Sequence, residues 1–312
     1  MLKVKKLSNE KRLYFIRRGV YILFHIGILQ LTQNLDDAVK GFKQGLQKAK
    51  IEADFHYMNA DGNLNELPKL ARRLADLKVD LIFACSTPAA KAAKELSENI
   101  PVVFTPVFDP VSANLVDSMT TPGGKLTGMS GMVNADAKVE FIQKLLPNIK
   151  HIAMLYHDQD ANSLIEVANI QKSLKDKIKL TNLLIHCQED LSSLEEQLSE
   201  NMDALFLPIG KIVEENFASI VYYADSFNIP IIASHAPNVS AGALGALVAN
   251  HALLGEGCAQ QARQILVEKI FPSKIPVGIT SNPEILLNAF VANNLDIELS
   301  AGLTQAAKEI FH

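Results

Sequence analysis

The chain is short of cysteine, of surplus positive charge and of long unbroken apolar runs, and each shortage removes a class of protein. Cys85, Cys187 and Cys258 are its three cysteines. They are too few and too far apart for a disulfide framework, and no Cys/His cluster has zinc-site spacing. The 30 Lys and Arg against 34 Asp and Glu leave a net charge of −4 with neutral His. With no basic surplus to neutralise a run of phosphates, nucleic acid is not an expected partner. No Gly-x-Ser-x-Gly elbow, P-loop or His-Glu-x-x-His motif occurs, so those catalytic and nucleotide-binding signatures are absent. No cofactor and no metal are expected; the loop Tyr156-His-Asp-Gln-Asp160 holds metal-capable side chains but reads as a solvated turn. What remains is 312 residues, 48% hydrophobic and 21% charged, enough for two globular domains at about 150 residues each.

The N-terminus carries Lys3, Lys5, Lys6, Lys11, Arg12, Arg17 and Arg18 ahead of a mostly apolar run, Gly19 to Leu29, that ends at Gln30. A basic start before an apolar stretch outlines an export signal. The stretch is short for a membrane span, is broken by His25 and shows no small-x-small cleavage site. The competing reading, a first buried strand over Ile26 to Leu31, is the one expected.

From there strand and helix patterns alternate. Strands are expected at Ala53–Asn59, Asp80–Cys85, Pro101–Thr105, Ile152–Tyr156, Leu180–Cys187, Ala204–Pro208 and Ile231–Ser234. Helices are expected at 36–50, 63–78, 88–99, 135–146, 160–177, 190–200 and 212–228. Strands this apolar between amphipathic helices make parallel sheets covered on both faces. The fold class is therefore α/β, with two doubly wound, Rossmann-like lobes in series. Ile100-Pro-Val-Val-Phe-Thr105 and Ile229-Pro-Ile-Ile-Ala-Ser234 look like counterparts in the two halves. A hinge is expected near 130–134, and ligands of open α/β sheets gather beyond the carboxyl ends of the strands.

The strongest local signal is Phe83-Ala-Cys-Ser-Thr-Pro-Ala-Ala-Lys-Ala-Ala93. It is a strand running into a helix, with Ser86 or Thr87 as N-cap and Pro88 at the first helical position. The exposed N–H groups and dipole of such a helix start suit a carboxylate or phosphate, and the same residues also suit a cap with no ligand.

Together with Ile28-Leu-Gln30, Phe42-Lys-Gln-Gly-Leu46, Asp109-Pro-Val111, Pro122-Gly-Gly124, Leu145-Leu-Pro147, Ala161-Asn-Ser163 and Gly242-Ala-Leu244, this motif resembles the substrate-binding proteins of ABC importers. The resemblance is to the tryptophan/tyrosine transport type, over about residues 26 to 303. It implies a fold like periplasmic binding proteins of type I, with two lobes that close on a small solute by hinge motion and present it to a membrane permease without chemistry. It implies crossovers near 130–134, 246–250 and 283. An N-terminal segment 1–25 would then precede lobe 1 (26–131 plus 250–282) and lobe 2 (132–249 plus 283–312). The helix Leu254 to Lys269 and a strand Ile275 to Ile279 would return to lobe 1. Ser86 and Thr87 would hold the ligand's carboxylate, with Gln30 and Asp109 nearby, and Asn162 and Ser163 would serve from lobe 2. The protein is expected to be a monomer with a small-molecule ligand and a permease partner. Its expected location is periplasmic or on the membrane exterior, with a cytoplasmic one left open by the N-terminus.

Two positions depart from the family pattern. Where an acidic residue usually follows the late strand's Ala-Ser, this chain has His235 and Ala236. Where a Thr-Asp-Asn-like loop is common after Pro208, it has Ile209-Gly210-Lys211. If Lys211 and His235 face the cleft, the expectation moves toward an anionic or neutral solute. The alternative from another class is an enzyme. Cys85 and Cys187, one per half, loosely resemble the two-cysteine layout of aspartate/glutamate racemases, which requires two thiols of lowered pKa. The acidic Gln188-Glu-Asp190 after Cys187 argues against that activation. A ligand-sensing domain of a transcription regulator is not expected, because 25 residues before the first strand are too few for a DNA-binding module with its own core.

Overall fold

The computed structural model describes residues 13–16, 19–96, 100–174 and 178–312. Its elements run β1 (Leu13–Ile16), β2 (Gly19–Gln30), α1 (Asp36–Lys48), β3 (Glu52–Asn59), α2 (Leu67–Asp76), β4 (Leu81–Cys85), α3 (Thr87–Lys94), β5 (Val102–Val107) and β6 (Leu126–Ser130). Next come α4 (Ala135–Leu145), β7 (His151–His157), α5 (Ala161–Leu174), β8 (Lys179–Ile185), α6 (Leu194–Gln197), β9 (Ala204–Leu207), α7 (Lys211–Glu215), α8 (Phe217–Ser226), β10 (Ile231–Ala233), α9 (Pro237–Ser240) and β11 (Gly245–Val248). The chain ends with α10 (His251–Leu266), β12 (Gly278–Ile279), β13 (Glu284–Asn288), α11 (Ala289–Asn294), α12 (Ala301–Ala306) and β14 (Ala307–Phe311). It divides into two compact units. The first runs to Met132 and takes up Asn250–Ser281; the second comprises Val133–Ala249 and Asn282–His312.

In the first unit β2 lies beside both β3 and β4, and β5, β6 and β12 follow outward, all parallel. β4 is buried at every residue, as a strand covered on both faces must be. The unit has a core on each face of its sheet. One is built on Leu29, Leu74, Ile82 and Phe104, the other on Ile26, Ile28, Phe42, Phe83 and Cys258. On the second face α1 and α10 cross at very close range. A Cβ on Gly45 would lie 2.5 Å from the Ala259 Cβ, and one on Gly41 or Gly255 would run into the backbone oxygen of Ala252 or Ala38. Only residues without a side chain allow that approach.

The second unit repeats the order. β7 lies between β8 and β9, and β10 and β11 follow, all parallel; β13 then adds antiparallel to β11 and β14 parallel to β13. Numbering each unit's parallel strands from its central one (β2 or β7), both sheets read 2-1-3-4-5. The segments noted as counterparts, 100–105 and 229–234, supply the fourth strand of each, β5 and β10.

Several boundaries differ from the sequence reading. The run from Gly19 is one continuous strand that begins seven residues before the expected Ile26 and ends at Gln30. The basic residues from Lys3 to Arg18 lie outside the described residues. The returning helix spans His251–Leu266 rather than 254–269. Its expected strand shrinks to Gly278–Ile279, because the carbonyls of Ile275 and Pro276 accept side-chain bonds from Thr127 Oγ1 (2.7 Å) and Gln261 Nε2 (3.1 Å) instead of ladder bonds. The helix expected over 190–200 is one helical turn after a 3₁₀ stretch. There the Ser192 and Ser193 hydroxyls donate to the carbonyls of Glu189 and Asp190, the competition that serine offers helix interiors. The helix expected over 212–228 breaks at Asn216, whose Nδ2 donates to Ile212 O at 2.8 Å.

Candidate functional site

A 2-1-3-4-5 sheet has its switch point between its first and third strands, the place where open α/β sheets take ligands. In the first unit that point lies between β2 and β4, and Gln30 and Cys85 are register partners there. Gln30 is fully buried. Its Oε1 accepts from the Tyr57 hydroxyl, and its Nε2 donates to Asp36 Oδ1 at 3.4 Å. The Tyr57 hydroxyl is held above its ordinary pKa by partial burial first and by the Asp36 carboxylate second. Asp36 and Tyr57 thus join Gln30. In the sequence Asp36 has the look of a helix start and Tyr57 of a strand residue; the parallel pairing of β2 with β3 brings Tyr57 to Gln30, and the start of α1 brings Asp36.

Ser86 follows β4 and caps α3. Its Oγ accepts from the Ala89 N–H at 3.4 Å, and its φ is 98°. That value is rare for a residue with a Cβ and is a store of local strain, of the kind that collects at binding sites. Thr87 and Pro88 form the first turn; proline has no N–H and the Ala89 N–H goes to Ser86 Oγ, so the Thr87 N–H is the first-turn donor without an intrahelical carbonyl, at the end where the dipole favours negative charge. Ser86, Thr87 and Pro88 are half-buried. Asp109 is already committed. Oδ1 accepts from the N–H groups of Val111 and Ser112 at 2.9 and 3.0 Å, and Oδ2 from the Ser112 hydroxyl at 2.8 Å, a turn-initiating aspartate.

In the second unit the switch point lies between β7 and β9, and the loops after both strands carry the expected residues. The cap of α5 is Asp160, whose Oδ1 accepts from the N–H groups of Asn162 and Ser163 at 2.9 and 3.0 Å. Ser163 is buried and its hydroxyl donates to Ile209 O at 2.7 Å. A Cβ on Gly210 would lie 2.5 Å from that hydroxyl oxygen, so glycine lets the loop after β9 close onto α5. Lys211 starts α7 with its side chain 80% exposed, 3.7 Å from Glu215. His235 Nδ1 lies 4.0 Å from Glu214 Oε2.

Beneath these loops is a buried polar network that sequence spacing did not reveal. Lys138 on α4 donates to Glu166 Oε1 on α5 and, at 2.7 Å, to Ser234 Oγ after β10; Ser234 in turn donates to Glu166 Oε1 at 2.6 Å. The other carboxylate oxygen accepts from the Ile209 N–H at 2.9 Å. Lys138 and Glu166 are only 5% and 4% exposed, so the pair ties the ends of β9 and β10 to two helices. Their residue types look like ordinary surface positions of amphipathic helices, which is why the pattern hid them.

The thiols are poorly placed for chemistry. Burial pushes the Cys85 and Cys258 thiols well up, and a bond to Glu189 raises Cys187, which is exposed. A proton-transferring thiol pair needs the opposite shift. His186 Nδ1, just after β8, lies 2.6 Å from Asp158 in the loop after β7, and His157 Nε2, at the end of β7, lies 3.8 Å from it.

Two units of this α/β type, each with its polar groups at the carboxyl end of a parallel sheet, define a protein with the fold of type I periplasmic binding proteins. Residues 25–311 match the family described as ABC transporter substrate binding protein, and the chain belongs to that family. It is accordingly a substrate-binding protein of an ABC transporter, with a small-molecule ligand and an ABC permease as the implied partner. It is 31% identical over 283 residues to a tyrosine-binding protein of Clostridioides difficile (strain R20291), covering 88% of this chain and 81% of that one. Two solved structures are similar over 92% of this chain and 99% of theirs. One is the ligand-free, open form of a substrate binding protein with adhesive properties from Clostridium difficile (TM-score 0.83, 28% identity). The other is an ABC domain in complex with L-Trp from Streptococcus pneumonia (TM-score 0.74, 26% identity).

Proposed function

We propose that this protein captures a free amino acid, of the aromatic class first, outside the cytoplasmic membrane and delivers it to an ABC permease as a monomer without altering it. The observation that carries the reading is the strained Ser86 capping α3 beside buried Gln30. A carboxylate there would meet the Thr87 N–H and the hydroxyls of Ser86 and Thr87. Asp36, bonded to Gln30, supplies the negative charge that an ammonium group needs, so the replacement of acidic residues by Lys211 and His235 in the second unit does not remove a counter-charge. The relative that binds tyrosine and the neighbour holding L-Trp support the same ligand class. Asn162, Ser163 and Asp109 serve this reading by shaping loops, because their polar groups or neighbouring backbone are already engaged.

The test is a thermal-shift and calorimetric comparison of L-tyrosine, L-tryptophan and L-phenylalanine with their methyl esters and with small dicarboxylates. A ligand at about 100 times its Kd adds about 2.7 kcal/mol. The free aromatic acids are expected to stabilise the protein and the esters to fail. The variant Ser86→Gly is expected to weaken binding about tenfold while raising the unfolding temperature, since glycine relieves a strain of order 1 kcal/mol and costs only a few tenths as a cap. Esters that bind as well as the acids would refute the carboxylate assignment, and stabilisation by dicarboxylates alone would refute the amino-acid class.

A further inference from the structure

β2 and β3 bring together three side chains that the ligand site does not use. The parallel register pairs His25 with Asp54 and Gly27 with His56, so the side chains of His25, Asp54 and His56 leave the same face of the sheet. Gly27 places no side chain opposite His56, and the two imidazoles stack with centroids 5.4 Å apart. Their facing nitrogens, His25 Nδ1 and His56 Nε2, are 3.1 Å apart. Asp54 Oδ2 stands 3.6 Å from the first and 3.9 Å from the second. The His25 backbone is clamped: its N–H donates to Asp80 Oδ2 and its carbonyl accepts from the Asp80 N–H, both at 2.7 Å.

We propose that His25, Asp54 and His56 form a site for a divalent transition-metal ion of the zinc class. A tetrahedral ion with ligand bonds of about 2.05 Å separates its donor atoms by about 3.3 Å, and the three separations here, 3.1, 3.6 and 3.9 Å, bracket that edge. Two imidazoles and one carboxylate select zinc and its neighbours over magnesium or calcium, which take oxygen donors. The side chains are 17%, 55% and 24% exposed for His25, Asp54 and His56, which leaves a fourth position for water. Of the three, His56 comes nearest to Gln30: it pairs with Gly27, three residues and about 10 Å before Gln30 along β2, and alternation along the strands sends its side chain to the face opposite Tyr57 and Gln30. The site is therefore separate from the amino-acid site, and its ion would pin β2 to β3. The histidines are 31 positions apart, so no metal-ligand spacing marks them in the sequence.

The experiment is calorimetric titration of Zn²⁺ into the chelator-treated, tag-free full chain, with the visible spectrum of added Co²⁺ as a second readout. One equivalent of Zn²⁺ and the intense absorption of four-coordinate Co²⁺ are expected. His56→Asn should weaken Zn²⁺ binding at least tenfold. Asp54→Asn does the same at a half-exposed side chain that the fold does not need, so it stands as the decisive variant if His56→Asn unfolds. Absence of a saturable equivalent overturns the proposal. So does binding that survives both substitutions, which would put the ion elsewhere, for instance at His157, Asp158 and His186. Amino-acid affinity measured on the same variants is expected to be unchanged, so failure of this site and failure of the ligand reading are read separately.

Discussion

Replacing Lys138 by methionine should damage the second unit more than any surface substitution of the same kind. Lys138 and Glu166 are both almost wholly buried, and the ammonium group also lies 6.0 Å from the centroid of the Phe206 ring. Methionine keeps most of the volume and removes the charge, so the Glu166 carboxylate is left with the Ser234 hydroxyl and the Ile209 N–H as its bonds. Breaking a buried pair from one side costs about 3–5 kcal/mol. The two surviving bonds place this case near 3 kcal/mol. In a unit of this size that lowers the unfolding temperature by about 6–12 °C at 2–4 °C per kcal/mol. The double variant Lys138→Met, Glu166→Gln removes the uncompensated charge and should recover more than half of the loss. Denaturant unfolding of the parent, both single variants and the double variant measures the coupling. A Lys138→Met protein within 1 kcal/mol of the parent, or a double variant as unstable as the two single losses added together, would show that the pair does not hold the β9 and β10 loop ends.

Gly41→Ala should destabilise the first unit by about 2 kcal/mol, because overpacking against the Ala252 carbonyl costs up to about 3 kcal/mol and helix propensity returns about 1. Gly302→Ala on α12, where an added Cβ meets nothing within 4 Å, should instead stabilise by about 0.5–1 kcal/mol; thermal unfolding reads both, and a Gly41→Ala protein as stable as the parent would refute the close α1–α10 crossing. Iodoacetamide at pH 8 should modify Cys187 and spare Cys85 and Cys258 in the native protein. All three thiols are shifted upward, which slows the thiolate reaction at each, but only Cys187 is exposed to the reagent. Mass spectrometry showing two or three rapid adducts would contradict the packing at β4 and α10.

The alternation of apolar strands and amphipathic helices is legible from composition and period alone, and so is a helix start capped by Ser86 or Thr87, because Ser-Thr-Pro after a buried strand marks an N-terminus; the structure makes Ser86 the cap. β6, β11, β13 and β14 were not read as strands. β6 carries Gly128, β11 opens on Gly245, and β14 directly follows a helical turn, so their periodicity is too short or too interrupted to register. The site was half legible for the same kind of reason. Residues that act through local geometry declared themselves. Lys138 with Glu166, and Tyr57 with Gln30, meet only through tertiary contacts 28 and 27 positions apart. Lys211 and His235 are visible in the sequence as charges after two strands, whereas the contact of Asp36 with Gln30 is hidden because Asp36 has the look of a helix-start acid.

The glycine crossing of α1 and α10 sets the order in which the protein can be made. α1 emerges from the ribosome early, but the helix that must cover its face begins at His251, after all of 133–249. At about 5–20 residues per second, the interval between residues 132 and 266 is roughly 7 to 27 s. Through that time Phe42 and Leu46, which end fully buried in the core shared with α10, lack the α10 side of their cover, although Phe42 stacks on Phe83 of β4. The second unit also waits, for β13 and β14. Neither half is complete before Ser281 has been made, so for most of its synthesis the chain lacks a finished unit and is a natural client for whatever holds unfolded chains apart.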